Sequence, residues 1–225
     1  MTKLPVEARL SATVVLLRDT EHGLETLLLR RNPKLAFAAG SWVFPGGAVD
    51  RIELESAPTE RRATEIAAVR EVQEECGVIV SDDALVHFCN WTTPETEKKR
   101  FTTWFFVAHV KNPDVEIIID NGEIHEYQWL RPCDALALHG QDELRLMPPA
   151  FLSLMLISHY QTAEAACQSL AQREPFSVTP KLSKASGQMA ALYPGDAEYE
   201  TGQLSPDGPQ HRTVFSDQGM KYIHS

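Results

Sequence analysis

The sequence predicts an α+β sandwich in which strands flank one acidic helix and further helices follow towards the C-terminus. Two runs rich in β-branched and aromatic residues, at positions 13–17 and 101–108, are typical of strands. Between them, residues 63–76 carry apolar side chains at helical spacing, and Gly77 follows as a residue suited to a left-handed cap. Prolines further along the chain mark the starts of later helices.

Length and composition indicate one globular domain with an appendage. At 225 residues, with 43% hydrophobic and 23% charged residues, the chain is ordinary for a soluble protein. The net charge of −10 argues against nucleic acid and anionic membranes as the main partners, since both favour a basic surface. The four cysteines are isolated and no apolar run is long enough to cross a membrane, so we expect a cytoplasmic protein with reduced thiols.

Two strands and a glycine turn are expected ahead of the acidic helix. Residues 9–18 form the first strand and residues 24–30 the second, and the turn at 19–23 pairs them as a hairpin. A loop at 32–41 then leads to the sequence Phe-Pro-Gly-Gly at 44–47. Glycine in such a turn lets the backbone approach a ligand closely and offers carbonyl oxygens.

The acidic helix presents three carboxylates on one face. At about 100° and ~1.5 Å per residue, Glu71, Glu74 and Glu75 fall within one arc roughly 100° wide. We place Ala67 and Ala68 on this open face, where they are too small to block a ligand. Apolar residues fill the opposite arc, as in a helix that packs on a sheet, and they are Ala63, Ile66, Val69, Val72 and Cys76.

Crowded carboxylates repel one another unless a cation neutralises them. Oxygen ligands with room for water suit Mg²⁺ or Mn²⁺, and magnesium points in turn to a phosphorylated ligand. Arg70 lies four residues before Glu74, where the two side chains can pair. The alternative is a solvated helix face, because the string Arg-Glu-x-x-Glu-Glu alone is a weak signal. The glycine turn upstream and Gly77 downstream favour the metal site.

Further strands and helices are expected after the acidic helix. In chain order they are a strand start at 78–80, a strand at 82–91, a polar loop at 92–100, a strand at 101–108, a turn at 120–122, a strand at 127–130, and helices at 131–138 and from 148 to about 172. From Glu174 the composition shifts to Pro, Gly, Ser and charged residues. In that tail we expect a small hairpin between 191–196 and 213–215, ordered where it packs on the main domain.

The order of these glycines and glutamates resembles the box of the Nudix hydrolase family. The box spans 47–78, with Gly47 first, Glu53 six residues later and the acidic run at 70–77. About nine residues more than usual separate Glu53 from Arg70, which indicates an inserted loop at roughly 50–59. Since the insertion leaves Glu53 a doubtful equivalent, the box residues carried over are Gly47, Arg70, Glu71, Glu74, Glu75 and Gly77.

The resemblance implies a fold and a chemistry. The fold is an α/β/α sandwich with a mixed sheet and extra C-terminal helices, with a Nudix domain at 1–175 and an extension at 176–225 packed on it. The chemistry is metal-dependent hydrolysis of a nucleoside diphosphate linked to another moiety. Mg²⁺ or Mn²⁺ is expected on Gly47 O, Glu71, Glu74 and Glu75. The resemblance assigns catalytic roles to Arg70, Glu74, Glu75 and Glu123.

Glu123 is the expected base because it lies six residues before Trp129, where related enzymes place an additional glutamate. His125 or Glu126 could take that role instead, and the alternative is an exposed loop acid. Basic side chains and a neighbouring aromatic are expected to meet a small nucleotide substrate, and these residues are Arg30, Arg31, Phe44, Lys99 and Arg100. A homodimer is a further expectation from the family.

Segments outside the box resemble the coenzyme A diphosphatase branch of the family. They are found at 91–94, 100–106, 128–132, 146–149 and 193–199. This branch implies cleavage of coenzyme A or acyl-CoA into 3′,5′-ADP and (acyl)phosphopantetheine. Two alternatives stay open: a pyrophosphatase acting on ADP-ribose, a dinucleotide or a capped nucleotide, and a Nudix-fold ligand sensor without turnover.

Overall fold

A mixed β-sheet forms the centre of the fold in the computed structural model, which describes residues 6–35, 38–119, 121–185, 187–205, 207–216 and 219–225. Its strands are β1 (Arg9–Thr20), β2 (Gly23–Arg31), β3 (Trp42–Val43), β4 (Gly46–Ala48), β5 (Val86–Thr92), β6 (Phe101–His109), β7 (Ile124–Leu130) and β8 (Phe176–Val178). The strand order is β3-β2-β1-β6-β5-β8, with β4 paired to β1 and β7 paired to β2. The pairs β1–β6 and β5–β8 are parallel, and the other pairs are antiparallel.

Helices cover both faces of this sheet. Their bounds are α1 (Arg51–Ser56), α2 (Glu60–Cys76), α3 (Pro132–Gly140), α4 (Pro148–Ile157) and α5 (Ala163–Ala171). Apolar residues of α2 share one core cluster with the sheet, and residues of α3, α4 and α5 share the other. This arrangement confirms the predicted α/β/α sandwich with a mixed sheet. Every helix among the described residues is too short or too polar to cross a bilayer.

The first hairpin is confirmed, and its strand β1 is buried on both faces of the sheet. Val14 and Leu16 pack towards α2, whereas Val15 and Leu17 pack towards the helices on the other face, and all four are fully buried. Burial on both faces explains why this strand shows no alternation of polar and apolar residues. The predicted loop at 32–41 and turn at 120–122 fall partly on positions 36, 37 and 120, which lie outside the described residues.

The two glycines expected in a turn lie instead in the short strand β4. Gly46 pairs with Thr13 and Gly47 with Ala12 across the ladder to β1. A Cβ on Gly46 would collide with Ala12 O and with Thr13 Cα. Glycine therefore permits a close strand contact here, and the prediction of a turn at these two positions is wrong.

The segment that follows α2 also differs from the prediction. Residues 78–80 are not part of a strand, although Val78 and Val80 are buried against the core. Ile79, between them, is 84% exposed. A short 3-10 helix occupies Asp82–Ala84, so that the predicted strand at 82–91 begins only at residue 86.

The insertion within the box holds a helix, where a loop was expected. Helix α1 follows Asp50, whose backbone N–H donates to Glu53 Oε2 at 2.6 Å. A carboxylate that binds an N-terminal backbone N–H stabilises a helix start, because those groups lack partners within the helix. The inserted residues thus present Glu53 from a defined helical turn.

The long helix predicted from residue 148 to about residue 172 is divided into α4 and α5. Thr162 caps the second helix, since its Oγ1 accepts from Ala165 N at 3.2 Å. The backbone N–H of Ala163 donates to Asp19 Oδ1 at 2.8 Å. These two contacts begin a new helix and change the direction of the chain, which apolar periodicity alone did not reveal.

The C-terminal residues form a second sheet of strands β9 (Lys181–Ala185), β10 (Gln188–Leu192), β11 (His211–Ser216) and β12 (Gly219–His224), in the order β12-β11-β10-β9. The predicted pairing of 191–196 with 213–215 is found in the β10–β11 ladder. A buried ion pair between Asp196 and Arg212, with two contacts of 2.7 Å, holds the loop after β10. Tyr193 is fully buried and its ring meets that of Trp91 in the central sheet at 5.6 Å.

Candidate active site

Helix α2 carries the acidic residues and packs directly on β1 and β4. Thr59 caps its start and Gly77, with φ of 72°, caps its end as predicted. Ala67 and Ala68 are completely buried against the sheet, so their placement on the open face was wrong. The buried arc is wider than predicted, because small alanine side chains let the helix approach the sheet closely.

Arg70 is the centre of an ion-pair network at the edge of the helix. Its Nε and Nη2 donate to the two carboxylate oxygens of Glu53 at 2.8 and 3.2 Å. Its Nη1 contacts Glu71 at 2.8 Å and Glu74 at 3.0 Å. These carboxylates, Glu53 first, raise the pKa of Arg70 further above its usual value. A single guanidinium therefore ties α1 to two of the three helix glutamates.

Glu53 is the functional candidate that sequence analysis undervalued. Glu53 is 7% exposed, and its carboxylate is bound by both Arg70 and the Asp50 N–H. The inserted residues had made its equivalence doubtful. Its six-residue offset from Gly47 was the signal that marks it, because α1 absorbs the insertion after Glu53 and leaves that offset unchanged.

Glu71 lies over Gly47 of β4. A Cβ at position 47 would overlap all three atoms of the Glu71 carboxylate group. Burial raises the pKa of Glu71 above its usual value, the Arg70 guanidinium opposes that shift, and Glu74 and Glu123 add to it. The glycine thus makes room for a carboxylate that is held partly out of water beside other acids.

Glu75 is the most buried acid of the helix, with 7% of its surface exposed. Its Oε2 accepts from the Gly46 N–H at 2.9 Å. Burial raises the pKa of Glu75 to about 8, with smaller upward effects from Glu71 and Glu123 and downward ones from Gly46 N–H and Arg31. The hydrogen bond from Gly46 and the charge of Arg31 are therefore too weak to offset the effect of burial on the ionised carboxylate.

Glu123 approaches this cluster from the loop before β7. Its charge contributes to the raised pKa of both Glu71 and Glu75. Arg31, at the end of β2, contacts Glu123 through Nη2 at 3.2 Å and also lowers the pKa of Glu75. The structure therefore brings two residues predicted from sequence, Glu123 and Arg31, to the acidic face of α2.

Arg30 and Glu126 face away from that cluster. They pair across β2 and β7 at 2.9 Å, and the Arg30 guanidinium lies 6.0 Å from the ring of Trp42, which belongs to the core on the opposite face of the sheet. Successive side chains of a strand point to opposite faces. Of the two predicted arginines, only Arg31 is therefore on the side of Glu75.

Three other predicted substrate residues lie away from the glutamates. Phe44 is 4% exposed and belongs to the core on the face opposite α2, so its ring is buried by packing. Arg100 donates to the backbone carbonyls of Thr93 and Val6. Lys99 lies 5.4 Å from the ring of Phe101 at the start of β6. The described contacts of these side chains are structural.

The carboxylates suit a hard divalent cation in chemistry and charge. Within the described residues, no three His, Cys, Asp or Glu side chains form a preformed metal cage. The reason is visible in their contacts, since Arg70 holds Glu71 and Glu74 while the Gly46 N–H holds Glu75. Each of these contacts occupies one oxygen of its carboxylate. Oxygen-only ligands, with the pKa values of Glu71 and Glu75 raised by burial and by neighbouring acids, fit Mg²⁺ or Mn²⁺.

An α/β/α sandwich whose central helix packs an Arg-Glu-x-x-Glu-Glu run beside a Gly-Gly strand defines a class of phosphoanhydride hydrolases. Comparison with known families agrees, because the NUDIX domain family matches residues 8–149. The chain belongs to the Nudix family. It is a Nudix pyrophosphohydrolase that acts on nucleoside diphosphate derivatives, and enzymes of this family generally use a divalent metal.

Several relatives and solved structures are similar to this chain. A Caenorhabditis elegans protein named nudix hydrolase 7 is 24% identical, over 94% of this chain and 86% of its own length. An acyl-coenzyme A diphosphatase of Xenopus laevis is 30% identical over 34% of this chain and 21% of its own length. A Nudix hydrolase structure from Alicyclobacillus acidocaldarius has a TM-score of 0.65 at 23% identity, covering 75% of this chain and 99% of that one.

A second solved structure has a similar fold. The Nudix domain of NrtR from Shewanella oneidensis, in complex with ADP-ribose, has a TM-score of 0.51 at 17% identity. The match covers 67% of this chain and 86% of that domain.

Proposed function

We propose that this Nudix hydrolase is a Mg²⁺- or Mn²⁺-dependent diphosphatase of coenzyme A or acyl-CoA. The products are 3′,5′-ADP and (acyl)phosphopantetheine. The observation that carries the hydrolytic part is the convergence of Glu71 and Glu75 with Glu123, whose charge adds to the raised pKa values of the two helix glutamates. A diphosphate substrate with bound cations would relieve this excess of negative charge.

The proposed ligand set is Glu71, Glu74, Glu75 and the carbonyl oxygen of Gly47. When bound there, Mg²⁺ or Mn²⁺ supplies charge neutralisation for the diphosphate and acidifies a water molecule. Arg70 positions Glu71 and Glu74 from the far side through contacts of 2.8 and 3.0 Å. Its further contacts to Glu53 fix the guanidinium on α1, so that the two glutamates keep a defined orientation.

Glu123 is proposed to accept a proton from the attacking water. The water oxygen forms a new bond to one phosphorus, the bridging P–O bond breaks, and the second phosphate leaves with its electron pair. Arg31 lies 3.2 Å from Glu123 and holds it beside the acidic face of α2. His125 and Glu126 are weaker candidates for this base. Glu123, and not His125, is among the groups whose charge acts on Glu71 and Glu75, and Glu126 pairs with Arg30 on the opposite face.

The choice of coenzyme A is supported by two partial likenesses. The aligned segment shared with the acyl-coenzyme A diphosphatase of Xenopus laevis covers 34% of this chain. The segments at 91–94, 100–106, 128–132 and 193–199 resemble the same branch of the family. ADP-ribose is the second candidate, because the similarly folded NrtR domain was crystallised with that ligand. Dinucleotides and a ligand-sensing role remain further alternatives.

A substrate panel tests the proposal directly. Coenzyme A, acetyl-CoA, ADP-ribose and a diadenosine polyphosphate are incubated with the protein in Mg²⁺ or Mn²⁺, and the phosphorylated products are identified by mass spectrometry. We expect 3′,5′-ADP from the first two at the highest kcat/KM. Faster turnover of ADP-ribose would replace coenzyme A as the substrate, and the absence of turnover in Glu75→Gln and wild type alike would favour a sensor.

Two broader expectations also remain proposals. We infer a reducing, cytoplasmic setting from the four cysteines, which are all free thiols in the structure. We also propose a homodimer on the basis of the family resemblance. Size-exclusion chromatography with light scattering would measure the oligomeric state of the full chain.

A further inference from the structure

Ser41 and Arg31 are neighbours where β2 approaches β3. The Arg31 N–H donates to Ser41 O at 3.0 Å, directly beyond the ladder pair Arg30–Trp42. The preceding pair, Leu29–Val43, packs towards α2. Since residues opposite each other in a ladder share a face and the faces alternate, Ser41 and Arg31 lie on the α2 side.

Both side chains carry a buried polar atom that lacks a partner. Ser41 is completely buried, and its Oγ has no hydrogen-bond partner among the described residues. The buried Nε of Arg31 is likewise without an acceptor in the part of the chain that the structure describes. A buried polar group with no partner is destabilising, so such groups are usually completed by a water or a ligand.

The chemistry of the two atoms selects the class of ligand. The Arg31 Nε can only donate, and the Ser41 hydroxyl can donate as well, so together they suit a group rich in acceptor oxygens. The positive charge of the Arg31 guanidinium repels cations, so the ligand of this pair is not a cation. A phosphate oxygen fits best, because a charged donor and a hydroxyl are the usual contacts of phosphate groups in proteins.

The location connects this pair to the acidic cluster. The Arg31 Nη2 contacts Glu123 at 3.2 Å, and the Arg31 charge lowers the pKa of Glu75. The guanidinium therefore has one edge towards the carboxylates and a second donor, Nε, left for another acceptor. A diphosphate bound at the glutamates would have oxygens within this neighbourhood.

We propose that Ser41 and Arg31 form a phosphate-binding subsite that holds one phosphate of the substrate's diphosphate, with Ser41 Oγ and Arg31 Nε as its donors. This inference rests on the proposed function of the acidic site. It adds Ser41, which has no catalytic role, as a residue that contacts the substrate.

The test measures binding of imidodiphosphate, a non-hydrolysable diphosphate, in Mg²⁺ by isothermal titration calorimetry. We expect Ser41→Ala to weaken binding about threefold to tenfold and Arg31→Lys by at least about tenfold. Thr26→Val is the matched control, because Thr26 Oγ1 is also buried without a partner among the described residues but lies near the other end of β2. The control should bind as the wild type does.

Thermal unfolding without ligand separates binding from folding. Since the Ser41 hydroxyl makes no described hydrogen bond, Ser41→Ala should unfold at the wild-type temperature or above while it binds imidodiphosphate more weakly. Unchanged affinity in both variants would overturn the subsite and leave an ordered water as the partner. In case a variant fails to fold, the Arg31 Nε–H resonance of the wild type is followed by NMR, and it should shift when imidodiphosphate is added.

The subsite and the proposed function can fail separately. If the wild type hydrolyses coenzyme A but the variants bind imidodiphosphate normally, the subsite is wrong and the function stands. If no substrate in the panel is hydrolysed but the variants lose binding, the subsite stands without the hydrolase. If the wild type itself does not bind imidodiphosphate and the Arg31 resonance is unmoved, the subsite is overturned.

Discussion

The carboxylate of Glu71 occupies the space that a side chain on Gly47 would fill. Replacement of this glycine by alanine is therefore expected to push the carboxylate away from the site. Misplacement of a catalytic group by about 1 Å can cost on the order of 10²-fold in rate, so we predict a loss of that size in kcat/KM for Gly47→Ala. Hydrolysis of the preferred substrate in Mg²⁺ gives the measurement.

A matched glycine shows whether the effect is local. Gly140 ends α3, and a Cβ there would meet nothing within 4 Å. Gly140→Ala should keep full activity and unfold at the wild-type temperature or slightly above, because alanine favours the helical conformation. If Gly47→Ala retained wild-type activity, the assignment of Glu71 and Gly47 to the site would be wrong.

Stability at high pH should depend on Glu75 when metal is removed by a chelator. The folded-state pKa of Glu75 is about 8, raised by burial from an ordinary value of 4.5. Between these values the folded protein holds a proton that the unfolded chain has lost, so stability falls as the pH rises from about 5 to about 8. Glu75→Gln replaces the titrating carboxyl group by a neutral amide. The free energy of unfolding of this variant should therefore exceed that of the wild type by on the order of 2–4 kcal/mol at pH 8.5.

Urea denaturation at pH 5.5 and pH 8.5 in EDTA measures that difference. The gap between Glu75→Gln and the wild type should widen with pH, while the variant loses hydrolysis by orders of magnitude. Glu55→Gln, on the exposed face of α1 where Glu55 pairs only with Arg51 among the described contacts, should follow the wild type. A constant gap at both pH values would show that Glu75 is ionised in the folded protein.

Divalent metal should stabilise the wild type and leave a glutamate-deficient variant unchanged. Mg²⁺ or Mn²⁺ bound to the folded state alone raises the free energy of unfolding by about 2.7 kcal/mol at a concentration 100 times its Kd. We expect a higher Tm for the wild type in either metal than in EDTA, and little change for the double variant Glu71→Gln, Glu75→Gln. NaCl at matched ionic strength controls for screening by salt. An equal Tm shift in the double variant would place the metal elsewhere.

The sequence predicted the acidic helix, because the spacing of Glu71, Glu74 and Glu75 along the chain places them on one face of a helix. The caps at Thr59 and Gly77 follow from residue type as well. Sequence reasoning misplaced Ala67 and Ala68, because a sheet with a Gly-Gly strand admits the helix more closely than an apolar stripe of large residues would.

Contacts distant in sequence were the part that could not be predicted. The contact of Arg70 with Glu53 on α1 depends on how the insertion folds. A helix of six residues is too short for apolar periodicity to predict it. The opposite faces of Arg30 and Arg31 follow from alternation once β2 is known to end at residue 31. The buried hydroxyl of Ser41 has no signal in sequence at all, since serine is ordinary in a loop.

The pair Glu53–Arg70 should stabilise the fold and the site together. Arg70→Lys keeps the charge but cannot reach Glu53, Glu71 and Glu74 at once, because an ammonium lacks the planar fork of donors. We predict a loss of about 1–3 kcal/mol in unfolding free energy and a lower kcat for this variant. Arg51→Lys, which alters an exposed pair within α1, is the control, and equal effects of both variants on kcat would contradict the network.

His139 should hold the C-terminal sheet against the rest of the protein. Its Nδ1–H donates to Leu144 O at 2.9 Å, and its Nε2 accepts from the Met220 N–H at 3.2 Å. The imidazole is 8% exposed, and Gly219 packs close to it. His139→Phe keeps an aromatic ring but loses both hydrogen bonds, so the Met220 N–H and the Leu144 C=O lose these partners.

We predict that this variant opens β11 and β12 without loss of the central sheet. Hydrogen exchange read by mass spectrometry should rise in peptides covering 211–216 and 219–224 and stay unchanged in those of β1 and β6. His159→Phe is the control, because His159 is exposed and follows α4. Unchanged exchange in β12 would show that Tyr193 and the buried Asp196–Arg212 pair hold the extension without His139. Faster exchange throughout the chain would instead show that the extension and the central sheet unfold as one unit.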